Sequence, residues 1–245
     1  MVSKSIKLLR YELKRIVATR LYLILTGVML AYIGFVLETQ TMFGESGTAP
    51  YSQWSYLAYL SSVIPLISMV LFTQLAKLQG SEERQVQALT LSSPTSMQSQ
   101  QAVKETAIGA AYLIQVVLAV LAAYVFFGMK FKILAPLNLL GCTAILAIPQ
   151  LFLCIGVGLW VSKIHPYATY VLAALLFFCY TTQVMMPMGV DLLGNSILQI
   201  ARATYPVQGE IAFAWPISYM ISRGITFVIG VVLTVVACMQ KRKVA

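Results

Sequence analysis

Six long apolar stretches alternate with short polar segments along the chain. They cover residues 21–37, about 54–76, 106–129, 133–162, 166–190 and 211–240. Each stretch is long enough to cross a bilayer as a helix, which takes about 20 residues. Pro136 and Pro149 lie within the fourth stretch, so its helix is expected to begin late and to bend near Pro149. The pattern predicts an all-α membrane protein with six transmembrane helices in a single transmembrane domain over residues 1–245.

The segment before the first apolar stretch has a different pattern. Between residues 3 and 19, apolar side chains recur at helical spacing, at Ile6, Leu9, Leu13, Ile16 and Val17. Basic side chains fall on the other side, as in a helix that lies on a membrane surface. The spacing predicts a basic amphipathic helix on the inner membrane surface, anchored by Lys4, Lys7, Lys14 and Arg15. The alternative is a helix that continues into the first span with its cations extended toward water.

A second polar segment, residues 191–215, precedes the last apolar stretch. Its apolar residues also recur at helical spacing, at Leu192, Leu193, Ile197, Ile200 and Ala201. This spacing predicts short amphipathic helices at the outer membrane face. Trp54 and Trp215 fall at predicted outer boundaries, where aromatic side chains commonly form a belt.

Composition and charge narrow the class of protein. The chain is 59% apolar and 10% charged, whereas an average soluble domain is about half apolar and about a quarter charged. A soluble globular enzyme is therefore excluded. The net charge of +9 comes from 17 Lys and Arg against 8 Asp and Glu. Most of these cations fall on the side of the predicted bundle that holds both termini, which indicates cytoplasmic termini rather than a nucleic-acid surface.

The sequence carries little that could perform chemistry. It contains no HExxH, GxSxG or GxxxxGK[ST] motif, and His165 is its one histidine. No enzymatic activity, nucleotide hydrolysis, metal site or cofactor is therefore expected in this chain. An ion-driven transporter usually has ionisable groups at mid-membrane depth, and Arg223 is the one such group within the six stretches. Extension of Arg223 to the outer interface, or pairing with Glu210 or Asp191, is the more ordinary expectation.

The loop over residues 77–105 is expected to lie in the cytoplasm. It opens with acidic residues, and Val86 and Leu89 give it a short apolar edge. Ser-Ser-Pro94 then ends one short helix and allows another to begin at Thr95 or Ser96. A short helix that projects between two spans can act as a lever.

This loop resembles the cytoplasmic loop of ABC-2 type permeases, the six-span subunits of ATP-driven exporters. The resemblance rests on an acidic residue, a short helix, the turn Leu89-Thr-Leu-Ser-Ser-Pro-Thr-Ser96, and Lys104 leading into the third span. The basic N-terminal helix and the short outer helices are also similar to that family. The resemblance thus extends over the whole chain, with its sharpest motif at residues 82–104.

The resemblance implies a multi-pass subunit of the bacterial cytoplasmic membrane. It would pair with a second copy or a paralogue and bind two ATPase subunits, which would carry ATP and magnesium. By position, the ATPase contacts would be Glu82, Glu83, Arg84, Gln87, Leu89 and Thr90 in the loop, with Lys163 and His165 in the next cytoplasmic turn. The alternative is an ordinary solvated loop.

In the family, the transport path forms at the dimer interface, mainly from spans one, two and five. The corresponding residues here are Tyr22, Thr26, Tyr59, Ser62, Phe72, Phe177, Tyr180, Gln183 and Met186. This mixture of aromatic, hydroxyl and thioether groups suits an amphipathic passenger. The chain also resembles permeases of bacterial peptide exporters, including those that expel phenol-soluble modulins.

The resemblance implies export of a hydrophobic or amphipathic peptide. Three alternatives remain: export of small hydrophobic drugs or antibiotics, ion-driven secondary transport, and a membrane scaffold without transport.

Overall fold

The computed structural model describes residues 2–44, 48–78, 97–133, 137–165, 167–181, 197 and 213–239. Across these ranges the protein is helical, with one short 3-10 turn and no strand. The helices are α1 (Val2–Val17), α2 (Arg20–Thr39), α3 (Gln53–Leu78), α4 (Met97–Phe131), α5 (Asn138–Ile164), α6 (Ala168–Thr181) and α7 (Ile217–Met239).

Five of these helices, α2, α3, α4, α5 and α7, are long and apolar enough to cross a membrane. The chain is therefore an all-α, multi-pass membrane protein. For the fifth predicted span, the structure describes the 14 residues of α6, and the remainder of 166–190 lies outside the described residues. The count of six spans stays a prediction. The late start of the fourth span is confirmed, because α5 begins at Asn138 and includes Pro149.

The central helix of the bundle is α3. Helices α2, α4, α5 and α6 all pack against it, and most of its side chains are buried. Around α3, contacts also join α2 to α4, α4 to α5 and α5 to α6. In the described ranges, α2 and α6 do not pack against each other as these neighbouring pairs do. The ring of helices around α3 is therefore open between α2 and α6.

Helices α5 and α7 share the most extensive contact in the described part of the bundle. A Cβ placed at Gly230 of α7 would lie 2.5 Å from the backbone nitrogen of Leu153 in α5. A Cβ at Gly156 of α5 would lie 2.8 Å from the Cβ of Leu233. Small residues allow helix backbones to approach closely in membranes, where burial of apolar surface does not drive helices together. Both glycines are therefore required for this crossing.

The longest helix, α4, has 35 residues, or about 52 Å at 1.5 Å per residue. The hydrocarbon core of a bilayer is about 30 Å thick, so α4 extends well beyond it. Helix α1 packs against α4, with Leu9, Leu13 and Ile16 among the side chains that join the apolar core. The predicted N-terminal helix is thus present, but its apolar face contacts protein. Its placement on the membrane surface stays a prediction.

Candidate functional site

Two tyrosines of the predicted path are buried inside the bundle. Tyr22 of α2 is 3% exposed and Tyr59 of α3 is 1% exposed. The Tyr22 hydroxyl donates to the carbonyl oxygen of Ala111 at 2.9 Å, and the Tyr59 hydroxyl donates to that of Ala119 at 2.8 Å. Both acceptors belong to α4. These tyrosines therefore attach α2 and α3 to α4. A buried tyrosine hydroxyl usually makes a hydrogen bond, and the α4 carbonyl oxygens accept it here.

The other described path residues divide between interior and surface. Phe72 is buried, and a Cβ at Gly158 would lie 3.3 Å from its ring. Thr26 and Ser62 are partly exposed, and Thr26 accepts a hydrogen bond from Nε2 of Gln115 at 2.9 Å. The structure thus places two of these residues at the surface of the bundle. Outside the described residues or side chains lie Phe177, Tyr180, Gln183 and Met186.

One face of α3 remains partly exposed along most of the helix. We call this face the α3 stripe, and it consists of Ala58, Ser62, Leu66, Met69 and Thr73. Successive members are three or four residues apart, so they lie above one another on a single face. The stripe is the part of α3 that the described helices packed around it leave partly exposed. Sequence reasoning found Ser62 and missed Leu66, Met69 and Thr73.

The predicted ATPase contacts can be placed in part. The six in the loop, Glu82 to Thr90, lie outside the described residues. Lys163 donates from Nζ to the carbonyl oxygen of Ala237 at 2.6 Å, so it binds the end of α7. His165 is exposed, and its Nδ1 accepts from the backbone N–H of Tyr167 at 3.3 Å. Of the two, His165 is the one on the surface.

A buried carboxylate lies close to the same end of the bundle. Glu105 of α4 accepts from Nε2 of Gln101 at 2.8 Å and from Sγ of Cys238 at 2.9 Å. Cys238 is on α7, one residue beyond the Ala237 carbonyl that Lys163 binds. The predicted coupling loop is therefore shorter than 77–105, because residues 97–105 form the first turns of α4. These turns are linked to the ends of α5 and α7.

The predicted membrane anchors on α1 differ in their surroundings. Lys7 and Lys14 are exposed. Arg15 is not a simple surface cation, because its Nη2 lies 3.0 Å from Oε2 of Glu12. The Lys4 side chain lies outside the described part of the protein.

Arg223 is buried within α7, with 2% of its surface exposed. Its guanidinium carbon lies 5.4 Å from the ring centroid of Tyr219. The Tyr219 ring stacks on Trp215 at 5.9 Å, Trp215 contacts Phe213 at 4.8 Å, and Phe213 contacts Trp54 of α3 at 4.8 Å. We call these four rings the aromatic column. A cation is attracted to an aromatic face, so the Tyr219 ring at the end of the column stabilises the charge of Arg223 inside the bundle.

Neutral polar side chains lie near Arg223 in the bundle interior. Tyr112 of α4 interacts electrostatically with Arg223 and with Ser68 of α3. Cys154 of α5 interacts electrostatically with Tyr112 and accepts from Nε2 of Gln150 at 3.5 Å. Tyr112, Ser68, Gln150 and Cys154 are all buried. Glu210 and Asp191, the acidic partners considered for Arg223, lie outside the described residues.

Comparisons with known proteins do not identify the chain. No family model matches it, and neither a curated protein nor a solved structure matches it. Among the described residues, no group of three His, Cys, Asp or Glu side chains is placed to hold a metal ion. The assignment to a family therefore rests on the resemblance of the sequence.

Proposed function

We propose that this chain is the membrane subunit of an ATP-driven exporter of the ABC-2 type. It crosses the bacterial cytoplasmic membrane six times, with both termini in the cytoplasm, and pairs with a second copy or a paralogue. Two separate ATPase subunits bind ATP and magnesium, and this chain carries no cofactor of its own. Its described spans form an apolar helical bundle, which fits a conduit better than an enzyme.

The observation that carries this proposal is the cytoplasmic end of α4. The helix extends beyond the thickness of a bilayer, and it begins at Met97, within the segment 77–105 that the sequence assigns to the loop. The helix packs against α1, and its Glu105 contacts Cys238 at the end of α7. A force applied to the loop would therefore move several helices together. This is the connection that a subunit driven by an external ATPase requires.

The passenger proposed is a hydrophobic or amphipathic peptide. The α3 stripe supports this choice, since it combines the hydroxyls of Ser62 and Thr73 with the thioether of Met69 among apolar neighbours. Flexible thioethers adapt to varied apolar shapes, and hydroxyls can bind peptide groups. In a pair of subunits, two such stripes facing each other would line the path. An exporter of small hydrophobic drugs would use the same surface and differ in its passenger.

Ion-driven transport receives less support from the described residues. Arg223 in α7 and Glu105 near the start of α4 are the two buried charged side chains of the described spans. Of these, Arg223 carries a guanidinium, a group that as a class keeps its proton in proteins. It is therefore poorly suited to releasing a proton during each cycle. Glu105, the buried carboxylate, lies at the cytoplasmic end of α4 and bonds to two side chains there.

The test is copurification of the tagged chain from its native membrane in mild detergent. We expect a stoichiometric ATPase with a Walker A motif, and stimulation of its turnover by amphipathic helical peptides. Glu83→Ala is expected to reduce ATPase association, because it removes a charge from the proposed docking helix. Glu38→Ala is the matched control, since Glu38 is an exposed carboxylate 3.9 Å from Lys130 at the opposite end of the bundle.

Recovery of the chain without an ATPase would contradict the exporter and favour secondary transport. Full association of the Glu83→Ala variant would contradict the site while leaving the class of transporter standing.

A further inference from the structure

The outward face of α1 carries a compact group of cations. Lys7, Arg10 and Lys14 are all exposed and are spaced three and four residues apart, so they share one face of the helix. Tyr11 lies among them and is 64% exposed. We call these four residues the basic face.

The opposite face of α1 is already occupied by the protein. Ile16 is buried, and Leu9, Leu13 and Val17 pack against the apolar core. An amphipathic helix normally binds a membrane by inserting its apolar face among the acyl chains. Here most of that face contacts α4 instead. Any attachment of α1 to lipid must therefore depend mainly on charge.

Within α1, no acidic side chain lies on the basic face. Glu12 is the one acidic residue of α1, and it is 6% exposed. Its Oε2 lies 3.0 Å from Nη2 of Arg15, so the pair is separate from the basic face. The three cations therefore present an uncompensated positive charge from this helix to the outside.

A tight turn holds α1 close to the start of a membrane span. Two residues separate the end of α1 at Val17 from the start of α2 at Arg20. Thr19 fixes this turn, since its hydroxyl donates to the carbonyl oxygen of Ile16 at 2.8 Å and accepts from the backbone N–H of Tyr22 at 3.4 Å. The end of α1 therefore lies next to the first residue of a membrane span, and an exposed tyrosine such as Tyr11 is typical of a membrane interface.

We propose that the basic face of α1 binds the anionic phospholipid headgroups of the cytoplasmic leaflet. This site goes beyond the proposed exporter function, and it rests on the cytoplasmic placement of α1 in that proposal. Positive charge next to the membrane selects an anionic headgroup over a zwitterionic one. The proposed site differs from the attachment of an amphipathic helix by its apolar face, because it depends on the charge of the lipid. It also includes Arg10 and does not include Arg15.

The test uses the full chain alone in nanodiscs of phosphatidylcholine with increasing fractions of phosphatidylglycerol. The rate at which an uncharged amine-reactive ester modifies Lys7 and Lys14 is measured by peptide mass spectrometry. We expect phosphatidylglycerol to slow both reactions, and to slow the reaction of the exposed Lys132 much less. High salt should abolish the protection, because exposed charges are screened.

Arg10→Gln is the decisive variant. Loss of the Arg10 charge should lower the affinity for phosphatidylglycerol about fivefold, as expected for one cation near an anionic surface. The fraction of phosphatidylglycerol that gives half of the full protection of Lys7 and Lys14 should therefore rise. Arg15→Gln is the matched control. It removes the same charge from the same helix, but Arg15 is paired with Glu12 and does not belong to the basic face. It should leave this fraction of phosphatidylglycerol unchanged. If Arg15→Gln destabilises the protein, Lys132→Gln replaces it as the control.

Three results would overturn the inference: protection that does not depend on phosphatidylglycerol, equal protection of Lys132, or equal shifts in the Arg10→Gln and Arg15→Gln variants. Protection that appears only after an acidic protein partner is added would assign the basic face to that partner. Because neither an ATPase nor a peptide is present, failure of this experiment leaves the exporter proposal to its own test.

Discussion

Helices α2 and α7 are both peripheral, yet they are attached to the bundle in different ways. In the most apolar part of each helix, 33% of the residues of α2 and 28% of those of α7 are buried. Helix α7 meets α5 backbone to backbone at Gly156 and Gly230. Helix α2 meets α4 through long side chains, by the bonds of Tyr22 to Ala111 and of Gln115 to Thr26.

Glycine shows the difference most clearly. A Cβ at Gly230 would collide with the α5 backbone, whereas a Cβ at Gly27 or Gly34 of α2 would meet nothing within 4 Å. Backbone contact at glycines leaves no room for adjustment, while hydrogen bonds between side chains tolerate small shifts. We infer that α5 and α7 form the fixed part of the subunit and that α2 forms the adaptable part.

Gly230→Ala is expected to disrupt the contact between α5 and α7. The new methyl group would lie 2.5 Å from a backbone nitrogen of α5, so a helix must move, at a cost of about 3 kcal/mol. Gly27→Ala is the matched control, and it should be neutral or stabilising by up to about 1 kcal/mol. Unfolding in detergent monitored by tryptophan fluorescence measures both. Equal effects of the two substitutions would refute the distinction between the helices.

Tyr219→Leu is expected to weaken the packing of the N-terminal end of α7. It removes the ring under Arg223 and interrupts the aromatic column, with a loss of about 2 kcal/mol for a buried cation–π contact. Tyr219→Phe keeps the ring and should retain most of the stability. The same unfolding assay applies, and Trp54 and Trp215 report on the column. If Phe proved as damaging as Leu, the hydroxyl rather than the ring would be the important group.

Tyr22→Phe should have the smallest effect. It deletes the hydroxyl that donates to Ala111, and hydrogen bonds between membrane helices are worth about 0.6 kcal/mol on average. The variant should fold and retain the α2 position, with a slight drop in stability. A double-mutant cycle with Gln115→Leu would show whether the two bonds act together. A loss as large as that of Gly230→Ala would mean that α2 is as rigidly attached as α7.

Hydropathy predicted the transmembrane segments well, because the need to satisfy backbone groups within lipid leaves helices as the natural form of a long apolar stretch. The predicted fourth span and helix α5 differ mainly at the start, since the prediction begins at residue 133 and the helix begins at Asn138. The fifth span and the outer helices lie largely outside the described residues, so those predictions are untested. The basic residues of α1 were also recognised from their spacing.

The orientation of side chains within each span was not accessible in the same way. Tyr59 and Ser62 are three residues apart, and both were placed on the path, yet one is buried against α4 and the other lies on the α3 stripe. A span that is apolar on every side carries no periodic signal to distinguish its faces. Arg15 was predicted to be an anchor because helical spacing places it with the other basic residues, opposite the apolar positions, but spacing gives no sign of its pairing with Glu12.

The sequence by itself determined the class of the molecule: a helical membrane protein with a basic amphipathic start and a polar segment between the second and third spans. These properties follow from local composition and spacing, which each segment carries alone. The tertiary structure decided that α3 is central, that α7 rests on glycines, that Arg223 lies against Tyr219, and that the apolar face of α1 is covered by α4. Such features depend on which helices become neighbours, and in a bilayer that choice is made by close packing and a few polar contacts rather than by hydrophobicity.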